Sequence, residues 1–126
     1  GFDPFEIIEV RGDELLIERR GRQAESGRLS GNVFSVLAER LAHYGAATMM
    51  MGPVAGACIV TLAYDLIYRI ERLRVDSAAN RRTLNSEPDA VFAFYDTLIV
   101  HDYAERKTEI VGVGGPGAWT RFLIRC

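Results

Sequence analysis

The chain has 126 residues, of which 48% are hydrophobic and 25% are charged, a composition typical of one globular domain rather than a disordered chain. Its formal net charge of −2 provides no general attraction for nucleic acid or for anionic lipid. The most apolar window, residues 54–70, is interrupted by polar residues and is too short to span a bilayer. We therefore expect neither a nucleic-acid partner nor a membrane partner.

The cysteine content predicts a reducing environment. Only Cys58 and Cys126 occur, which is too few for a disulfide framework, and no closely spaced ligand set predicts a zinc site. No charged-then-apolar leader precedes the first apolar segment, so we expect a cytoplasmic protein. The chain starts abruptly at Gly1 and stops within an apolar run, and we interpret it as part of a longer protein.

The first segments predict a β-hairpin followed by a helix. Residues 5–10 and 14–19 are rich in Ile, Val and Leu and flank a turn at residues 11–13. Residues 21–31 are polar and contain several glycines, so they are interpreted as a connection. Ser30 or Asn32 can cap a helix that runs to about Tyr44.

Gly45 is placed to end this helix, and its predicted buried stripe has i, i+3, i+4, i+7 spacing. That stripe consists of Phe34, Leu37, Ala38 and Leu41. His43 lies near the predicted C-terminus, where a solvent-exposed or capping role is expected. Residues 49–51 are three methionines, which we interpret as core side chains that fill gaps.

The middle of the chain predicts a strand and a second helix. Residues 54–64 are apolar and rich in Gly and Ala, a pattern that indicates a strand where backbones approach closely. Asp65 can cap a short helix with Leu66, Ile70 and Leu73 on its buried side. Residues 74–89 are charged and polar and are interpreted as a solvated loop.

The last third contains the longest β-rich run, residues 91–102. Apolar residues occur at both its odd-numbered and its even-numbered positions. Such a strand must be covered on both faces, so we expect it at the centre of the domain. It turns at about residues 104–106 into a second hairpin, residues 108–113. Residues 114–117 resemble a linker, so the predicted domain spans residues 1–113, and residues 114–126 form a linker and the start of a further element.

These elements predict an α+β fold of mostly antiparallel sheets, with two hairpins and a central strand buried on both faces, flanked by two helices. No nucleophile, phosphate-loop or dinucleotide motif occurs. His101 and Asp102 are the one pair that chemistry could use, but strand neighbours point to opposite faces, so Asp102 is expected to open the turn instead. Asp96 and Asp102 share a parity but lie roughly 20 Å apart on a continuous strand, too far for one metal ion. We therefore predict no catalytic, cofactor-binding or metal-binding residue.

The order of short motifs resembles the N-terminal domain of component I of the chorismate-utilising aminating enzymes. These are the anthranilate synthase large subunit and para-aminobenzoate (aminodeoxychorismate) synthase component I. Residues 1–5 resemble the family's Gly-x-Asp-Pro segment, and residues 52–66 resemble its glycine-rich strand that ends in Tyr-Asp. Residues 88–89 and 94–103 resemble its Pro-Asp pair and the strand that follows. The positions that match motifs, to which no catalytic or ligand role is assigned, are Asp3, Pro4, Gly56, Tyr64, Asp65, Asp96 and Asp102.

The resemblance implies a non-catalytic structural or regulatory domain of a synthase in tryptophan or folate biosynthesis. It implies that magnesium and chorismate bind a C-terminal domain of the same parent chain, so this chain alone is expected to be inactive. It also implies a glutamine amidotransferase subunit as a further partner. Two alternatives stay open from the residues themselves, a stand-alone module that binds a small ligand or a protein, and a small enzyme that uses His101.

Overall fold

The computed structural model describes residues 3–48, 56–67, 71, 87–113 and 119–124. In chain order, the described elements are β1 (Glu6–Arg11), β2 (Glu14–Arg19), β3 (Glu25–Arg28), α1 (Val33–Thr48), β4 (Ala57–Leu62), a 3₁₀ turn (Tyr64–Leu66), β5 (Ala90–Tyr95), β6 (Thr97–Asp102), β7 (Lys107–Val113) and β8 (Trp119–Ile124). The predicted α+β class is confirmed. A five-stranded antiparallel sheet has the order β3-β2-β1-β5-β4, and a three-stranded antiparallel sheet has the order β6-β7-β8.

The core lies between α1 and one face of the five-stranded sheet. Alternate residues of β1 and β5 are buried because side chains on a strand alternate between its two faces. The register places Ile8 opposite Phe92, and both side chains have 0% exposure. The buried hydrophobic residues are Ile8, Val10, Val33, Leu66, Ala90, Phe92 and Phe94.

The long strand predicted over residues 91–102 is broken in two, and this part of the prediction is wrong. Asp96 interrupts it, so that β5 belongs to the larger sheet and β6 to the smaller one. The interior position is correct for β5, which lies between β1 and β4. In β6 the outward residue Ile99 is 54% exposed. The apolar run is therefore continuous in sequence although it serves two sheets.

The helix α1 differs from its prediction in its buried face and in its end. Phe34 and Leu41 are 39% and 47% exposed, while Val33 is buried and Val36, Leu37 and Tyr44 pack against the core. The face of α1 that packs against the core is therefore rotated relative to the predicted face. Of the four residues predicted to be buried, only Leu37 packs against the core. The Tyr44 ring near the C-terminal end of α1 lies 5.1 Å from the Phe5 ring and 5.3 Å from the Phe94 ring.

Two local signals at the ends of α1 had different outcomes. Asn32 is the N-cap, since its Oδ1 accepts a hydrogen bond from the Ser35 backbone N–H at 2.8 Å. Gly45 does not end the helix, which continues to Thr48. A glycine can remain inside a helix at a cost of about 1 kcal/mol relative to alanine.

The predicted connection of residues 21–31 contains the edge strand β3. Its four residues are all exposed, and Leu16 of β2 pairs with Ser26. A strand with both faces in water has no alternation of apolar and polar residues, so its sequence shows only turn-like composition. The pairing partner, rather than the local sequence, makes this segment a strand.

The two predicted hairpin turns are confirmed. Gly12 has a φ of 59° between β1 and β2, and Arg106 has a φ of 49° in the turn before β7. The second predicted helix begins as the 3₁₀ turn Tyr64–Leu66 with Leu66 buried, whereas Ile70 and Leu73 lie outside the described residues. The methionines at 49–51 and most of the loop at 74–89 also lie outside them. The segment after the predicted linker contains β8, which pairs with β7.

Candidate functional site

Arg20 joins three chain segments at one end of the five-stranded sheet. Its Nε lies 2.8 Å from Asp3 Oδ2, and its Nη1 and Nη2 donate to the two carboxylate oxygens of Asp96 at 3.1 and 3.3 Å. Its Nη2 also donates to the Asp3 carbonyl oxygen. The hydrogen bond to Asp96 is the main reason why the pKa of Arg20 rises above its ordinary value. We call these three residues the Arg20 junction.

The Arg20 junction contains two of the seven motif positions. Asp3 precedes β1, and Asp96 is the residue at which β5 ends and β6 begins. Asp96 therefore lies where the chain passes from the larger sheet to the smaller one. Sequence reasoning singled out both aspartates but missed Arg20, because a partner 76 residues from Asp96 leaves no local spacing signal.

Two further motif positions have backbone roles beside this junction. Gly56 has a φ of 110° where the chain enters β4, and a Cβ atom there would lie 3.1 Å from the Tyr95 carbonyl oxygen. Glycine is the residue that adopts this φ without strain. Pro4 is half-buried between Asp3 and Phe5. Neither residue presents a group that could perform chemistry.

A second charged cluster lies in the core, and sequence reasoning did not identify it. Glu6 has 0% exposure, and its Oε2 accepts a hydrogen bond from Arg19 Nε at 2.7 Å. Arg19 Nη1 also donates to Glu25 at 2.8 Å, and Arg40 Nε lies 3.7 Å from Glu6 Oε1, beyond hydrogen-bond distance. We call this set the Glu6 network. Its signal was available, since a hairpin that turns at residues 12–13 places Glu6 opposite Arg19.

The Glu6 network changes the titration of the groups around it. Burial raises the pKa of Tyr44, and the negative charge of Glu6 raises it further. The hydrogen bonds to Glu6 and then to Glu25 raise the pKa of Arg19. Because Glu6 is paired with two arginines, its charge is compensated where an isolated buried carboxylate would be costly. The ion pair between Arg40 and Glu6 connects α1 to β1.

A groove of about 360 Å³ lies beside the Arg20 junction. Its walls combine the apolar side chains of Pro4 and Ile7 with the charged side chains of Glu18 and Arg22. Arg19 and Arg20 also line it, but their guanidinium groups are already bound to carboxylates. The groove contains charges of both signs and no serine, cysteine or histidine. Its lining presents apolar, acidic and basic side chains to the same space.

His101 and Asp102 have separate partners. His101 Nδ1 lies 2.7 Å from Thr108 Oγ1 on β7, and its ring packs edge-on against Tyr103. Asp102 Oδ1 accepts hydrogen bonds from the Ala104 and Glu105 amides at 2.8 and 3.0 Å. These amides, Glu105 first, lower the pKa of Asp102. The prediction that Asp102 opens the turn is confirmed, and the carboxylate does not orient the imidazole through a hydrogen bond.

The remaining motif positions lie near the start of the 3₁₀ turn. Tyr64 is 84% exposed, and the Asp65 side chain lies outside the described set. No group of three or more His, Cys, Asp or Glu side chains in the described ranges is arranged to hold a metal ion. Within the same ranges, no helix has the length and apolar character needed to cross a membrane.

Comparison with known protein families, with curated proteins and with solved structures finds no match to this chain. The fold and the described clusters therefore define the class of the molecule, an α+β domain with two antiparallel sheets. Its motif residues Asp3, Gly56 and Asp96 lie at points where strands begin or end.

Proposed function

We propose that this chain is the N-terminal, non-catalytic structural or regulatory domain of a chorismate-utilising synthase, of the anthranilate synthase or aminodeoxychorismate synthase component I type. The observation that carries the proposal is the convergence of the motif segments. Asp3 and Asp96 come from two segments that resemble the family, and both bind Arg20. Gly56, from a third segment, packs against the backbone of Tyr95, next to Asp96. Motif positions that support one another structurally agree with a framework role.

The proposal assigns the chemistry to the rest of the parent protein. There, ammonia from a glutamine amidotransferase subunit adds to chorismate, and pyruvate is eliminated in the anthranilate branch. Chorismate and magnesium belong to a C-terminal domain of the parent chain, so no catalytic step passes through the residues of this chain. The domain contributes packing and an interface to that catalytic domain, in a cytoplasmic enzyme of tryptophan or folate biosynthesis.

The first test is to read the encoding frame beyond Gly1 and Cys126. A long downstream domain rich in acidic metal ligands supports the proposal. A start codon directly before Gly1 together with a stop codon directly after Cys126 contradicts it. The purified chain provides a second test, in which chorismate, ammonia and magnesium should give no product above a buffer control. An intact anthranilate synthase large subunit in the same assay serves as the positive control.

A binding module is the second candidate function, and the groove beside the Arg20 junction favours it. The groove has a volume of about 360 Å³ and presents apolar, acidic and basic side chains side by side. Arg22→Ala and Glu18→Ala would remove the charged side chains that are not part of the Arg20 junction or the Glu6 network. If a polar small-molecule ligand saturates the isolated chain and both variants weaken its binding, the binding-module function is preferred.

A further inference from the structure

The outer edge of β4 lacks the charged residues and prolines that natural proteins place on the edges of sheets. β4 is the last strand of the five-stranded sheet, and it is paired on one side with β5. Natural proteins protect such edges with charged residues, prolines or bulges. The opposite edge strand, β3, contains Glu25 and Arg28, whereas β4 has the sequence ACIVTL, without a charge or a proline.

The pairing with β5 determines which backbone groups of β4 point outward. Ala63 N donates to Asp89 O at 2.8 Å, which places the Ala63–Asp89 pair at a hydrogen-bonded position of the β4–β5 ladder, although Asp89 N donates to Val10 O of β1 instead of returning the bond. In an antiparallel ladder such pairs alternate with pairs whose N–H and C=O groups point away. Applied to the register of β4 and β5, this alternation directs the backbone groups of three β4 residues toward the open edge. These residues are Cys58, Val60 and Leu62.

The outward backbone groups are symmetric about Val60. A second, antiparallel β4 strand placed with its two-fold axis at Val60 would pair Val60 with its own copy. It would also pair Cys58 with the second copy's Leu62, and each opposed pair would exchange two hydrogen bonds. An edge with a central lysine or glutamate would place like charges opposite each other, which is destabilising, whereas Val60 does not.

The side chains of β4 provide apolar surface on both faces for such a pairing. Val60 and Leu62 are 41% and 44% exposed on the face directed toward α1, and Ile59 is 57% exposed on the other face. In the symmetric register, Ile59 lies opposite the second copy's Thr61. Aliphatic and β-branched pairs of this kind are the contacts that stabilise neighbouring strands.

We propose that β4 binds a second copy of this chain, edge to edge and antiparallel, with the two-fold axis at Val60. The pairing joins the two five-stranded sheets into one continuous sheet across the dimer. This inference does not depend on the proposed function, because it rests only on the register, charge and exposure of β4.

The test is the oligomeric state of the full chain, measured by sedimentation velocity and by light scattering over a wide concentration range. A dimer is expected, and Val60→Lys should weaken its association by at least about tenfold because it places two positive charges opposite each other. Ser26→Lys, the same change on the edge strand β3, should leave association unchanged. Circular dichroism of both variants establishes that they remain folded.

Cross-linking tests the register without disturbing the charge. In a Cys58→Ser, Cys126→Ser background, Val60→Cys should form an intermolecular disulfide, because opposed Cα atoms in such a pair lie about 5.5 Å apart. Ser26→Cys in the same background should not form one. The proposal is overturned by a chain that is monomeric at every concentration, by a dimer that Val60→Lys leaves intact, or by an edge that captures an unrelated extended peptide while the chain itself stays monomeric.

Discussion

Glu6 places a charge inside the core. It is fully buried and paired with Arg19, whereas Glu9 on the same strand forms an exposed pair with Arg11. Glu6→Gln replaces the charged acceptor of the Arg19 Nε hydrogen bond at a buried site, while Arg19 keeps its pair with Glu25. It should therefore destabilise the fold by about 2 kcal/mol. Glu9→Gln should cost less than about 1 kcal/mol because exposed pairs contribute little. Urea unfolding of the two variants measures the difference, and equal losses would contradict the role assigned to the Glu6 network.

Tyr44 makes the unfolding free energy depend on pH in the alkaline range. Its pKa is raised by burial and by Glu6, so the folded state holds the phenolic proton more tightly than the unfolded state does. The resulting contribution to stability is complete below the unfolded pKa of about 10 and is lost as the pH rises through the folded pKa. Tyr44→Phe should therefore reduce the fall in unfolding free energy above about pH 9. The prediction fails if wild type and variant lose stability with the same slope.

At the scale of elements, Gly56 controls how the chain enters β4. Its φ of 110° and the 3.1 Å approach of a Cβ atom to the Tyr95 carbonyl oxygen both oppose a side chain. Gly56→Ala should destabilise the fold by about 2 kcal/mol. Gly27→Ala on β3 is the matched control, because nothing lies within 4 Å of its Cβ position, and it should change stability by less than about 1 kcal/mol. Thermal unfolding distinguishes the two, and a Gly56 variant as stable as the control would show that the strand can enter by another path.

The helices and strands also show which sequence patterns are sufficient to predict turns, caps and buried faces. The turns at Gly12 and around Arg106 follow from local chemistry and were predicted correctly. The sequence left both Ser30 and Asn32 open as the helix cap, and the hydrogen bond from Ser35 N identifies Asn32. Asp96, directly after β5, binds Arg20, which is distant in sequence, and no local pattern indicates this contact. The buried face of α1 was predicted from Phe34 and Leu41, but contacts with Phe5 and Phe94 place Tyr44 inward instead.

The candidate sites also divide into those that local sequence predicts and those that depend on partners distant in sequence. The pair of Glu6 with Arg19 follows from the register of a predicted hairpin, so the sequence contained its signal. The motif positions Asp3 and Asp96 were recognised by their order along the chain, but their shared partner was not. A turn role for Asp102 was predicted because it is a short acidic residue at a strand end, and its two amide contacts confirm that role. Contacts between residues that are distant in sequence therefore could not be predicted from the sequence.

At the scale of the whole molecule, the Arg20 junction links the two sheets. Arg20 follows β2 in the larger sheet, and Asp96 is the residue directly before β6 in the smaller one. Exposed ion pairs contribute little to global stability, so Arg20→Gln should lower the unfolding free energy by less than about 1 kcal/mol. Its effect should be local, because opening at the link between the sheets exposes backbone amides without unfolding the core.

Hydrogen exchange followed by mass spectrometry measures this effect. In Arg20→Gln, the amides of Phe5 and of β6 should exchange faster, while amides of β1 and β5 keep their protection. Arg22→Gln removes the same charge two residues further along the chain and serves as the control, since it leaves the contacts to Asp3 and Asp96 in place. If exchange in β6 is unchanged by Arg20→Gln, the covalent connection from Tyr95 to Thr97 is sufficient to hold the sheets together. If protection is lost across β1 and β5 as well, the junction stabilises the whole fold rather than the link between its sheets.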